Sequence, residues 1–156
     1  MTPKQRQIAR QQLDKTLSQF GFATGIQQPV KGWIRAVREV LGMSGTQLAQ
    51  RLRVSQPRIP KLEQDELSGA VSLKTMRQAA EALDCVFVYA LVPRTSLEDT
   101  VRTQARKVAV ERMQRVAHSM LLESQSLGVE EQRTSIDAAV DELARETPRG
   151  LWDTKA

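Results

Sequence analysis

The chain has 156 residues, of which 40% are hydrophobic, 26% charged and 4% aromatic. This composition can bury a core and is not that of a disordered chain, while the low aromatic content argues against a β-sandwich or barrel. A single cysteine, Cys85, excludes an internal disulfide, and a single histidine, His118, leaves too few ligands for a structural zinc site. The sequence has neither an apolar run of membrane-spanning length nor a signal peptide, so it predicts a soluble cytoplasmic protein.

The net charge of +5 is concentrated in the first part of the chain. Residues 1–31 carry five Lys or Arg residues and one Asp, whereas residues 93–156 carry ten basic and eleven acidic residues. A basic front favours contact with a polyanion such as nucleic acid. The alternative is solvated charge that meets no partner.

The spacing of apolar residues predicts a mainly α-helical protein. A capping-box spacing, Ser44 to Gln47, starts one helix, and Ser55 is expected to cap the next. Residues 64–71 are expected to be a polar loop. The predicted helices cover residues 4–20, 32–41, 44–52, 55–63, 72–83, 96–125 and 129–146.

One segment, residues 85–93, has the composition of a β-strand. It is β-branched and aromatic, and Pro93 ends it. No second strand is predicted, so its backbone groups need a partner. We expect the strand to pair with the same strand of a second molecule, although burial against its own chain is the alternative. The candidate dimerisation residues are Val86, Phe87, Val88, Tyr89 and Leu91.

The helices on either side of residue 54 have the pattern of a helix-turn-helix. A recognition helix must expose base-contacting side chains at its N-terminal turns and bury its other face. Gln56, Arg58 and Lys61 can point outward, while Val54, Ile59 and Leu62 are expected to point inward. Gln suits adenine, Arg and Lys suit guanine or phosphate, and Gln47 is placed to bond a phosphate. The candidate DNA-binding residues are Thr46, Gln47, Arg53, Ser55, Gln56, Arg58 and Lys61; a solvated helix face is the alternative interpretation.

Pro60 departs from this pattern. It lies about five positions into the predicted recognition helix, where proline removes a hydrogen bond and clashes with the preceding turn. The sequence therefore predicts that this helix is short, kinked or docked in a different way.

Two family resemblances follow from these motifs. Residues 46–56 (TQLAQRLRVSQ), with Ile59, residues 61–63 (KLE) and residues 73–83, resemble the Cro/C1-type (XRE) helix-turn-helix over about residues 32–84. Residues 32–35 (GWIR), 88–93 (VYALVP) and 118–125 (HSMLLESQ) resemble the family called mobile mystery protein A. That family is often encoded beside a Fic-domain protein, so the resemblance implies an antitoxin-like role with a Fic-domain partner.

The sequence thus predicts a mainly α protein, a Cro/C1-like helix-turn-helix bundle with one β-strand and a C-terminal helical extension. The domains are an N-terminal basic helix and linker (1–28), the helix-turn-helix (29–84), the dimerisation strand (85–93) and the C-terminal helical region (94–156). The predicted function is a dimeric, sequence-specific DNA-binding repressor of its own operon, and the resemblance to mobile mystery protein A implies an antitoxin-like role with a Fic-domain partner. The alternative is a protein-binding antitoxin that inhibits a Fic-type enzyme through its C-terminal helices. No nucleophile–base pair, metal-ligand set or phosphate loop is apparent, so we expect neither an enzyme nor a cofactor.

Overall fold

The computed structural model describes residues 1–122 and 128–153. This part of the chain contains seven α-helices and no β-strand. The helices are α1 (Pro3–Ser18), α2 (Trp33–Val40), α3 (Gly45–Leu52), α4 (Arg58–Ser68), α5 (Leu73–Ala82), α6 (Leu97–Leu122) and α7 (Val129–Glu146). Short 3₁₀-helices span Gly21–Gly25 and Arg149–Trp152.

These elements form two compact units. The first unit contains residues 22–90 and therefore helices α2 to α5. The second combines residues 1–21 with the described residues from 91 onward, and in it α1 packs against α6 and α7.

The first unit is built around one apolar core to which all four of its helices contribute. Ile59 and Leu62 of α4 are buried, as predicted, but Val54 is exposed because it lies in the turn before that helix. The buried core residues are Ile34, Leu48, Ala49, Ile59, Leu62, Ala79 and Leu83.

A buried carboxylate on α4 caps the start of α2. The two oxygens of Glu66 accept hydrogen bonds from the backbone N–H groups of Trp33 (2.7 Å) and Ile34 (3.0 Å). The first N–H groups of a helix have no partner within the helix, so Glu66 supplies what an N-cap side chain would. Gly32 permits this approach, because its φ is +80° and a Cβ there would lie 2.8 Å from Glu66 Oε2.

A nearly buried ion pair also connects α2 with α4. Arg38 Nε donates to Glu63 Oε1 at 2.8 Å, and Arg38 Nη1 donates to the carbonyl oxygen of Met43 at 3.0 Å. The two side chains retain 14% and 9% of their exposure. A charge buried without its partner is strongly unfavourable, so this pair fixes α2 against α4 and against the loop that leads into α3.

The second unit is centred on the pair α6 and α7. Its buried residues include several alanines, whose small side chains let the two helices approach closely. Asp14 of α1 accepts hydrogen bonds from the first backbone N–H groups of α6, at Leu97 (2.7 Å) and Glu98 (3.2 Å). Helix α7 has the predicted bounds, whereas residues 123–125, which complete one of the resemblance motifs, lie outside the described residues.

The predicted strand is absent. Residues 85–92 adopt no regular secondary structure. A strand requires a neighbouring strand to bond its N–H and C=O groups, and the described part of this chain provides none. The prediction of one β-strand is therefore wrong for the single chain.

Helix α4 is longer than the sequence indicated. The predicted polar loop at residues 64–71 is helical as far as Ser68, and Gly69, with φ +75°, ends the helix. The buried face of its second half is occupied by Glu63 and Glu66 rather than by apolar side chains. This removes the apolar periodicity from which a helix is predicted.

Candidate nucleic-acid interface

The turn between α3 and α4 is closed by two backbone hydrogen bonds. Val54 N donates to Ala49 O at 3.0 Å and Arg53 N donates to Gln50 O at 3.1 Å, the bonding pattern of a Schellman motif. Arg53 adopts the left-handed conformation, with φ +55°, that glycine usually occupies at this position. The chain therefore reverses directly after α3 without a glycine.

The predicted capping box at the start of α3 is confirmed. Ser44 Oγ accepts from Gln47 N at 3.2 Å, and Gln47 Oε1 accepts from Ser44 N at 2.7 Å. Gln47 is exposed, and within the described residues its side-chain amide nitrogen has no partner. That N–H₂ group and the free backbone N–H groups of the first turn are both suited to a phosphate oxygen.

Helix α4 begins two residues later than a helix capped by Ser55 would. Ser55 does not cap it; residues 55–58 form a turn, in which Arg58 N donates to Ser55 O at 3.0 Å. Pro60 is consequently the third residue of the helix, where an N–H group would have no intrahelical acceptor. The expected disruption at Pro60 does not occur, because proline is tolerated in the first turn of a helix.

The predicted DNA-binding residues are brought together on one stretch of exposed surface. Thr46 and Gln47 lie in the first turn of α3, Arg53, Ser55 and Gln56 lie in the connection, and Arg58 and Lys61 lie in the first turn of α4. All seven residues are exposed. Lys61 Nζ is 3.4 Å from Asp65 Oδ1, one helical turn away, in an exposed pair of the kind that contributes little to stability.

Two of the three acids of α4, Glu63 and Glu66, accept hydrogen bonds from groups of α2 rather than from this surface, and the third, Asp65, lies beside Lys61. On α2 itself, Glu39 accepts hydrogen bonds from Arg35 at 2.8 Å and from Lys31 at 3.1 Å. The pKa of Glu39 lies below its ordinary value, first because Arg35 donates a hydrogen bond to it and then because Lys31 does.

Two arginines of the surface have no such partner. Among the described residues, no carboxylate pairs with Arg53 or Arg58. Their guanidinium groups are available to an external anion.

Sequence reasoning missed the residues that hold this surface in place. Arg38, Glu63 and Glu66 fix α2 against α4, and Arg51 Nη1 of α3 donates to the carbonyl oxygen of Ala82 at 2.9 Å at the end of α5. The available signal was the pair of acids three residues apart, Glu63 and Glu66, on the same face as Ile59 and Leu62.

The predicted dimerisation segment is an exposed apolar stretch. Val86, Val88 and Leu91 retain 87%, 62% and 89% of their exposure. Phe87 and Tyr89 stack with their ring centroids 5.8 Å apart, and Arg77 lies over the Tyr89 ring at 6.0 Å. A cavity of about 340 Å³ separates residues 85–88 from side chains of α2 and α5, among them Trp33, Val37 and Met76.

Residues 34–87 match a family model described as helix-turn-helix, which supports the XRE-type part of the resemblance. A domain of this kind indicates a DNA-binding regulator. No curated protein and no solved structure matches the chain. Among the described residues, no helix combines the length and apolar character needed to cross a membrane.

Proposed function

We propose that the protein is a sequence-specific DNA-binding transcriptional repressor that acts as a dimer on its own operon. The observation that carries this proposal is the exposed surface of Thr46, Gln47, Arg53, Ser55, Gln56, Arg58 and Lys61 on a matched helix-turn-helix. Arg53 and Arg58, which pair with no carboxylate among the described residues, supply the positive charge that contact with phosphates requires.

The start of α4 is the part of this surface that would enter the major groove. Gln56 precedes the helix, Arg58 is its first residue and Lys61 its fourth, so all three lie at its exposed N-terminal end. Gln can contact adenine through two hydrogen bonds, and Arg can contact guanine in the same way. These three residues are proposed to carry the sequence preference.

The start of α3 is proposed to hold the DNA backbone. Thr46 and Gln47 offer side-chain donors beside backbone N–H groups that have no helical partner. Such contacts position a protein on the duplex without selecting its sequence. Arg53 and Ser55, in the connection, complete the backbone contacts.

Dimerisation is proposed to involve residues 85–91. Exposed apolar side chains at Val86, Val88 and Leu91 are unfavourable in water, and coverage by a second copy removes them from it. Backbone groups without a ladder partner favour the same arrangement, because two copies can pair along this segment. Two-fold dimers are the commonest oligomers and suit a two-fold operator.

The test is selection of bound sequences from random duplex DNA by the full chain, followed by footprinting upstream of its own gene. We expect a pseudo-palindromic site with half-site centres about 34 Å apart or a multiple of that distance. Affinity for the selected site should fall steeply with salt. A single unrepeated half-site would contradict the dimeric arrangement, and the absence of any enriched sequence would contradict specific binding.

A second candidate function is an antitoxin that binds a Fic-type protein through the C-terminal helices. The observation that favours it is that α6 and α7 form a core of their own, separate from the helix-turn-helix core. Together with the resemblance to mobile mystery protein A, this leaves one unit available for a protein partner. Co-expression with the neighbouring gene product and purification of a complex at equal ratio would support this role; separate elution would oppose it.

A further inference from the structure

The second unit contains a groove of about 420 Å³ that the DNA-binding proposal does not use. Its walls are formed by α1, the start of α6 and the residues that follow α7. All of these elements belong to the same compact unit. The volume is in the range of natural small-molecule sites.

The groove is lined by three arginines and by no acidic residue. Arg10 is neutralised, because its Nε donates to Glu98 Oε2 at 2.9 Å and its Nη2 donates to the carbonyl oxygen of Ala144 at 3.0 Å. Arg6 and Arg149 have no carboxylate partner among the described residues, although Arg6 Nη2 donates to the carbonyl oxygen of Glu146 at 2.9 Å. The groove therefore carries uncompensated positive charge.

Two polar atoms of groove residues are buried without a hydrogen-bond partner. They are Arg6 Nε and Thr147 Oγ1, and no other polar atom of the described side chains is buried without a partner. Buried polar atoms are nearly always bonded, and those that are not call for an explanation such as a missing ligand or water. Both atoms belong to residues that line one groove, which points to a polar ligand group beside Arg6 and Thr147.

The remaining wall of the groove is apolar. Leu13, Val101 and the ring of Trp152 contribute to it. A ligand that contacts both this apolar wall and the arginines needs an anionic group and an apolar, planar part. A carboxylate suits the anionic group, because a guanidinium donates to it through two parallel hydrogen bonds.

We propose that this groove binds a small aromatic carboxylate, with its oxygens toward Arg6, Thr147 and Arg149 and its ring against Trp152. This site is independent of the proposed DNA-binding surface, which lies on α3 and α4. The proposal therefore stands or fails separately from DNA binding.

The test is calorimetric titration of the full chain with 2-naphthoate and with 2-naphthamide, which has a similar shape but no charge. We expect saturable 1:1 binding of the acid and binding of the amide that is on the order of tenfold or more weaker, because the amide loses charge-assisted hydrogen bonds. Arg6→Gln should weaken binding of the acid to a similar extent.

Arg149→Gln keeps the test decisive if Arg6→Gln unfolds, because Arg149 is exposed and its loss leaves the core intact. Arg133→Gln is the matched control; it removes one exposed positive charge from α7 outside the groove and should leave affinity unchanged. No saturable binding of the acid, equal binding of acid and amide, or equal weakening by Arg133→Gln and Arg149→Gln would overturn the proposal.

Discussion

Single residues fix how α2 sits on α4, and Gly32 is the most constrained of them. Its φ of +80° belongs to a region that side-chain-bearing residues rarely adopt, and a Cβ there would lie 2.8 Å from Glu66 Oε2. Gly32→Ala should therefore lower the free energy of unfolding of the first unit by about 1–3 kcal/mol. Hydrogen exchange of the amides in α2 to α5 measures this loss.

Gly25→Ala is the matched control for Gly32→Ala. Gly25 belongs to the same unit, has no positive φ and has no atom within 4 Å of a built Cβ. Its substitution should change stability by no more than about 0.5 kcal/mol. Equal effects of the two substitutions would show that the contact between Gly32 and Glu66 is unimportant.

At the scale of elements, Pro60 distinguishes the observed start of α4 from the start that the sequence suggested. Since Pro60 is the third residue of the helix, Pro60→Ala should change stability by less than about 1 kcal/mol. Gln64→Pro, one turn further on at an exposed position, should cost about 3 kcal/mol or more, because it removes an internal hydrogen bond and adds a clash. Urea unfolding followed by circular dichroism checks both values; a large loss on Pro60→Ala would contradict the assigned helix start.

The elements that could be predicted from sequence are those whose signal is local. The Ser44–Gln47 capping box marked the start of α3, and apolar spacing marked α5 and α7. The second half of α4 was missed because Glu63 and Glu66 occupy its buried face. Residues 85–92 have strand composition, but a strand also needs a partner, which composition does not reveal.

The same limit applies to the candidate site. Its exposed residues could be named from the helix-turn-helix pattern, whereas Glu66 capping α2 and the Arg38–Glu63 pair depend on tertiary packing. The helix-turn-helix pattern also did not predict the left-handed conformation of Arg53 or the start of α4 at Arg58. Arg53 occupies a position where glycine is the usual signal, and no side chain caps α4.

At the scale of the whole molecule, the proposed dimer depends on residues 85–91. Val88→Pro should leave the single chain folded, because Val88 is exposed and lies outside regular structure. It should nevertheless weaken dimerisation by removing a backbone N–H that pairing requires. Sedimentation at micromolar concentration measures the change, and Val88→Thr, which keeps the N–H group, is the control. A folded, fully dimeric Val88→Pro variant would place the interface elsewhere, with α6 the next candidate.

The central claim is that the start of α4 selects a DNA sequence while the start of α3 holds the backbone. The most direct test compares affinities for the selected site and for random DNA, at one salt concentration, for the natural chain, Gln56→Ala, Lys61→Ala and Gln47→Ala. Gln78→Ala, at an exposed position on α5, is the control. We predict that Gln56→Ala and Lys61→Ala each remove about 1–3 kcal/mol of discrimination, whereas Gln47→Ala weakens both DNAs alike. Unchanged discrimination in Gln56→Ala would contradict the assignment of α4 as the recognition helix.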